Sequence, residues 1–136
     1  MKKEFQRGQS EFQTISLNKL MAMIRAMPAG KFDMVIGIER GGILPAYLAS
    51  RWLDVPLETI PAGEPSARSR HPHERLTSLR GMRVLLVDDV SKTGATLRRA
   101  AGKLKDAEIT SMVISGEADI SLLGPHERCI RWPWDK

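Results

Sequence analysis

Cysteine is almost missing from this chain. A single thiol, Cys129, has no second cysteine for an internal disulfide and cannot assemble a zinc site from thiolates. Long apolar runs are missing as well: none approaches the roughly 18 residues that a membrane span needs. The first residues, MKKEFQRGQSEFQ, are basic without an apolar segment behind them, which is not the pattern of a secretory signal. No internal repeat occurs, and no GxxxxGK[ST] loop of nucleotide hydrolases. These absences leave the expectation of a cytoplasmic globular protein, and 136 residues suit one domain, residues 1–136.

What is present is positive charge in one place. The net charge is +5, and between Pro61 and Arg83 the arginines 68, 70, 75, 80 and 83 face only Glu64 and Glu74. This concentration implies a partner rich in phosphate. The stretch from 61 to 80 also has Pro, Gly, Ser and His without a period, so it reads as a long surface loop. It is either a solvated tether or a lid. His71 and His73 within it have no third ligand nearby in sequence and read as exposed loop residues rather than metal ligands.

The remaining pattern alternates strands and helices. Ser16 can cap a helix whose Leu17, Leu20, Met21, Ile24 and Met27 share one face, with the Pro28-Ala29-Gly30 turn ending it. Met34–Ile38 reads as a buried strand, Ile43–Trp52 as a helix with Pro45 in its first turn, and Val55–Ile60 as a strand. Met82–Val87 is a further strand, followed by a helix from Thr96 to about Lys105 and a strand from Ile109 to Ser115. Arg98, Arg99, Lys103 and Lys105 read as the solvated face of that last helix, with a nucleic-acid stripe as the minority reading. The order predicts an α/β fold: a mainly parallel sheet with helices on both faces and loops gathered at the strand C-termini.

The segment VLLVDDVSKTGATL, from Val84 to Leu97, carries the chemistry. Two carboxylates, Asp88 and Asp89, follow an apolar strand, and small hydroxylated residues then lead into a helix. The backbone amides of Thr93, Gly94, Ala95 and Thr96 can form a concave donor set at the helix N-terminus, which suits a phosphate monoester. Adjacent carboxylates can accept bonds from a diol or hold Mg²⁺ through hard oxygen donors. Phosphate, diol and divalent metal together describe a ribose phosphate.

This segment resembles the 5-phosphoribosyl-1-pyrophosphate (PRPP) motif of the type I phosphoribosyltransferases. The Glu39-Arg40-Gly41-Gly42 turn looks like that family's pyrophosphate loop, and residues 61–80 lie where the family keeps a mobile catalytic loop. The ending Trp132-Pro133-Trp134-Asp135 is similar to the tail of the bacterial xanthine-guanine (6-oxopurine) branch. The resemblance implies transfer of a phosphoribosyl group from Mg-PRPP to a nitrogen of a purine-like nucleobase, releasing pyrophosphate. Asp88, Asp89 and Arg40 would be the catalytic residues, with Mg²⁺ on the two aspartates. Glu39, Arg40, Gly41, Gly42, Asp88, Asp89, Ser91, Lys92, Thr93, Gly94, Ala95 and Thr96 would bind PRPP, one of Arg68, Arg70 and Arg75 would close over it, and Cys129, Ile130 and Trp132 fall at the base side. It also implies purine salvage as the setting and a homodimer or homotetramer; the short span from Ser115 to Pro133 leaves little chain for more than a small or reduced hood, no membrane partner is expected, and nucleic acid stays the minority reading as a partner.

The base side departs from the branch. Lys92 stands where the family has an acid–base aspartate, Glu117 where it has a lysine for the purine O6, and Cys129 where it has a stacking tryptophan. A non-catalytic PRPP- or nucleotide-sensing regulator of RNA or protein is the alternative that these departures leave.

Overall fold

The computed structural model describes residues 12–27, 30–62, 79–126, 128–133 and 135. The elements in chain order are β1 (Phe12–Thr14), α1 (Leu17–Ala26), β2 (Met34–Ile38), α2 (Ile43–Leu53), β3 (Leu57–Ile60), β4 (Arg83–Ser91), α3 (Ala95–Lys103), β5 (Glu108–Gly116), β6 (Ile120–Ser121) and β7 (Cys129–Arg131). Residues 63–78 of the predicted loop, with Arg68, Arg70, His71, His73 and Arg75, lie outside the described residues, as do Pro28, Ala29 and Trp134.

Five strands form one sheet in the order β3-β2-β4-β5-β6, every pair parallel. Parallel neighbours need crossovers; α2 supplies the one from β2 to β3 and α3 the one from β4 to β5, and the two helices cover opposite faces of the sheet. Alternation along the strands divides the core accordingly. Val35, Leu85, Val87, Met112 and Ile114 pack with α1 and α2 through Leu20, Ile24, Ala46 and Ala49. Ile36, Ile38, Val84, Leu86 and Val113 pack with α3 through Leu97 and Ala100. Both faces are buried, so the central strands carry continuous apolar runs.

Ser16 caps α1, its hydroxyl oxygen accepting from the Lys19 amide at 3.1 Å. The buried stripe of this helix is narrower than the sequence suggested. Leu20, Ile24 and Met27 are buried, one per turn, while Met21 on the flank is half-buried and Leu17 in the first turn is 47% exposed.

β4 is longer than expected, and the excess matters. Its pairing with β2 stops at Gly37↔Val87, whereas its pairing with β5 continues through Val90↔Ser115 to Ser91↔Gly116. Asp88 and Asp89 therefore lie within a strand paired on one side only, not beyond a strand end, and a notch opens where β2 has turned away. β1, β6 and β7 were not predicted; runs of two or three residues are too short to carry a period. β1 and β7 pair in parallel, Phe12↔Cys129 to Thr14↔Arg131, as a separate two-stranded sheet.

Candidate active site

The notch at the carboxyl ends of β2 and β4 is where open parallel sheets hold ligands. One wall is the Glu39–Gly42 turn, which enters through a cis Glu39–Arg40 peptide bond. Glu39 is pinned to the neighbouring strand, its amide donating to the Ile60 carbonyl at 2.8 Å and its carboxylate accepting from the Thr59 hydroxyl at 3.1 Å. Arg40 is exposed at the turn. The two glycines then let this turn approach β4: a Cβ on Gly41 would run into the Asp89 carboxylate, and one on Gly42 would run into the backbone carbonyls of Val87 and Ile38. The Gly42 amide, expected as a pyrophosphate donor, already donates to the Ile38 carbonyl at 2.8 Å. Tight closure of the turn consumes it, so Gly42 contributes proximity instead.

The other wall is the acid pair. Asp88 is only 8% exposed, and its Oδ1 accepts from the Asp89 amide at 2.8 Å, while Asp89 Oδ1 accepts from the Val90 amide at 2.7 Å. The two acids, read from sequence as following an apolar strand, lie in the strand itself: Asp88 is buried and Asp89 half-buried. Burial pushes the Asp88 carboxyl up to about 7; the Asp89 amide opposes the rise and the Asp89 carboxylate adds to it.

Past β4 the chain forms the cradle, a cleft of about 290 Å³ lined by Val90 to Thr96. Gly94 sits at φ +82°, a left-handed conformation that glycine adopts without steric cost, and turns the chain into α3. Ser91 lines the cleft but is itself buried in the strand ladder; Lys92 and Thr93 are exposed. The Ala95 amide already has a weak partner in the Thr93 hydroxyl at 3.3 Å, which an incoming anion must replace. Arg98, read from sequence as part of a solvated face, is exposed, and its Nη1 also donates to the Thr93 carbonyl at 3.1 Å. Its spacing from Thr93 crosses the helix start, so helical periodicity alone does not bring the two together.

A second cleft of about 500 Å³ adjoins the cradle at Lys92 and is lined by Lys92, Gly116, Glu117, Pro125, His126, Arg128 and Cys129. Three residues separated in sequence, Lys92, Glu117 and Cys129, thus meet at one place, as their alignment with the base side implied. Ile130 and Trp132 do not line it. Side chains alternate along β7, so Cys129 and Arg131 are exposed while Ile130 turns to the core. Trp132 packs against that same core, and its amide donates to Asp135 Oδ2 at 2.8 Å. His126 and Arg128 were missed, because a loop after a two-residue strand offers no spacing motif.

Among the described residues no three His, Cys, Asp or Glu side chains converge on one point. Two adjacent carboxylates beside an anion cradle nevertheless fit Mg²⁺, which retains waters and takes ligand phosphate oxygens in place of a full protein cage. No helix among the described residues is long and apolar enough to cross a membrane.

Comparison with known proteins agrees with this geometry. Residues 8–115 match the family described as the phosphoribosyl transferase domain. The orotate phosphoribosyltransferase 2 of Mesorhizobium japonicum is 37% identical over 87 residues, covering 64% of this chain and 43% of that protein; the chain spans about half the length of the curated relatives it matches, or less. The crystal structure of a purine phosphoribosyltransferase from Pyrococcus horikoshii superposes with a TM-score of 0.72 at 26% identity, covering 93% of this chain and 95% of that one. The xanthine-guanine-hypoxanthine phosphoribosyltransferase of Helicobacter pylori shares the fold at a TM-score of 0.64 and 16% identity, covering 91% and 93% of the two chains.

Proposed function

Because the chain belongs to the type I phosphoribosyltransferase family, we propose that it transfers the 5-phosphoribosyl group of Mg-PRPP to a nucleobase nitrogen and releases pyrophosphate. One observation carries the reading: the Asp89 carboxylate occupies the space that a side chain on Gly41 would take. The turn that would receive pyrophosphate and the acids that would hold ribose are thereby fitted to each other.

The 5-phosphate sits in the cradle from Lys92 to Thr96, at the positive end of α3, with Arg98 bracing the turn. Asp88 and Asp89 would face the ribose hydroxyls, and the negative charge of Asp89, joined by Asp88 once it has lost its proton, would favour the cation-like sugar that forms as the C1–oxygen bond breaks. Arg40 and the Gly41 amide take up the charge gathering on pyrophosphate. A base nitrogen then bonds to C1 from the 500 Å³ cleft. Mg²⁺ held by Asp88 and Asp89 would neutralise charge on the leaving pyrophosphate. The basic loop of residues 61–80, whose Arg68, Arg70 and Arg75 lie outside the described residues, would close over the site and exclude water.

The base is left between an oxopurine and orotate, since the relatives named above include enzymes for both. The regulator alternative is not favoured. Incubation with PRPP, Mg²⁺ and a panel of orotate, xanthine, guanine, hypoxanthine and adenine should release pyrophosphate with at least one base. Folded protein that releases none would refute the proposal.

A further inference from the structure

Ser115 is a buried hydroxyl with one task. It is 3% exposed at the end of β5, and its Oγ lies 3.0 Å from His126 Nδ1. Among the described residues it has no other hydrogen-bond partner. The direction of this bond depends on the imidazole tautomer; because a hydroxyl proton left unpaired in the interior is costly, we infer that the Ser115 O–H donates to Nδ1. A neutral imidazole that accepts at Nδ1 carries its proton on Nε2. His126 is half-buried and lines the 500 Å³ cleft beside Glu117 and Cys129.

The loop carrying His126 is tied to the site from below. The Gly116 amide donates to the Gly124 carbonyl at 2.9 Å, and the Glu117 amide donates to the Ser91 carbonyl at 2.8 Å, which joins the loop to the strand bearing Asp88 and Asp89. The imidazole is therefore anchored through β5 to the same frame as the acids. Among the other polar side chains lining this cleft, Glu117 is an acceptor when ionised, and Lys92 and Arg128 are donors on long, exposed side chains, whereas His126 is half-buried and held by Ser115.

We propose that His126, oriented by Ser115, is the base-specificity residue of this site and donates from Nε2 to a carbonyl oxygen of an oxo-substituted nucleobase. This rests on the phosphoribosyl reading above and adds the recognising group. Ser115 acts as a positioning residue, since it touches the imidazole and not the base.

Product binding tests this independently of turnover. Calorimetry with ribose 5-phosphate measures the sugar-phosphate half alone, and the 5′-monophosphates of guanosine, xanthosine, orotidine and adenosine add the base. At least one oxo-nucleotide should bind more than about tenfold tighter than both ribose 5-phosphate and the adenosine nucleotide, as expected when a half-buried, oriented donor is satisfied. His126→Ala should erase that gain, His126→Gln should restore part of it through its amide donor, and Ser115→Ala should reduce it about three- to tenfold. The ¹⁵N spectrum of the neutral His126 ring should show the proton on Nε2 in the wild type, with that preference weakened in Ser115→Ala. If ribose 5-phosphate binds but no oxo-nucleotide gains, or if His126→Ala keeps the gain, this inference falls while the phosphoribosyl reading stands. If ribose 5-phosphate does not bind, both fall. A proton found on Nδ1 overturns the assignment of Ser115 as donor.

Discussion

Adjacent glycines in the 39–42 turn should respond to the same added methyl group in different ways. In Gly41→Ala the new Cβ meets the end of a side chain, the Asp89 carboxylate, which can rotate away. Rotation sacrifices the 2.7 Å bond from the Val90 amide to Asp89 Oδ1, a loss of about 1–2 kcal/mol of stability. The displaced carboxylate can then no longer meet ribose and metal. Loss of one charge-assisted contact, about 1.5–3 kcal/mol, corresponds to roughly a tenfold to hundredfold weaker affinity for Mg-PRPP. In Gly42→Ala the Cβ meets the Val87 and Ile38 carbonyls, backbone of two central strands with no free end to move. That variant should lose more than about 4 kcal/mol or fail to fold. Urea unfolding and calorimetry with Mg-PRPP separate the two effects. Wild-type affinity in Gly41→Ala, or equal stability of the two variants, would refute the packing argument and with it the observation on which the proposed function rests.

Three further outcomes follow from the same structure. Asp88 keeps its proton up to about pH 7 in the folded state but only to about 3.8 when unfolded, so its contribution to stability is full below about pH 4 and is lost as pH rises to 7. The whole gap is worth about 4 kcal/mol, reduced to about 2 kcal/mol by residual solvent contact. Metal-free Asp88→Asn should therefore gain stability over wild type at pH 8 relative to pH 5 in denaturant titrations, and a pH-independent difference would contradict the buried-acid assignment. Arg98→Ala removes the donor to the Thr93 carbonyl and should weaken ribose 5-phosphate binding about three- to tenfold by calorimetry; unchanged binding would show that Arg98 does not brace the turn. Ser16→Ala deletes the cap on α1 and should cost about 1 kcal/mol in thermal unfolding, with no change expected in ligand affinity.

Strand and helix order was legible because each central element carries its own period. Met34–Ile38 coincided with β2 to the residue, and β5 extended the expected Ile109–Ser115 by one residue at each end. The motif from Val84 to Leu97 was legible for a similar reason, since the cradle is built from consecutive residues. Boundaries failed where a neighbouring strand sets them. β4 runs on to Ser91 only because β5 continues to pair with it, and Asp88 is buried in that extension.

The amino-acid sequence by itself determined a parallel α/β sheet, the position of the turn proposed to bind phosphate and the pair of acids before it, all of which are local in the chain. Tertiary structure alone decided what those parts touch. It set the Asp89 carboxylate against Gly41, spent the Gly42 amide inside its own turn, drew Arg98 back onto Thr93, sent Ile130 and Trp132 to the core, and joined Ser115 to His126 across 11 residues. The physical reason is that periodicity and turn chemistry act over a few residues, whereas contact across a notch depends on where separate strands stop pairing.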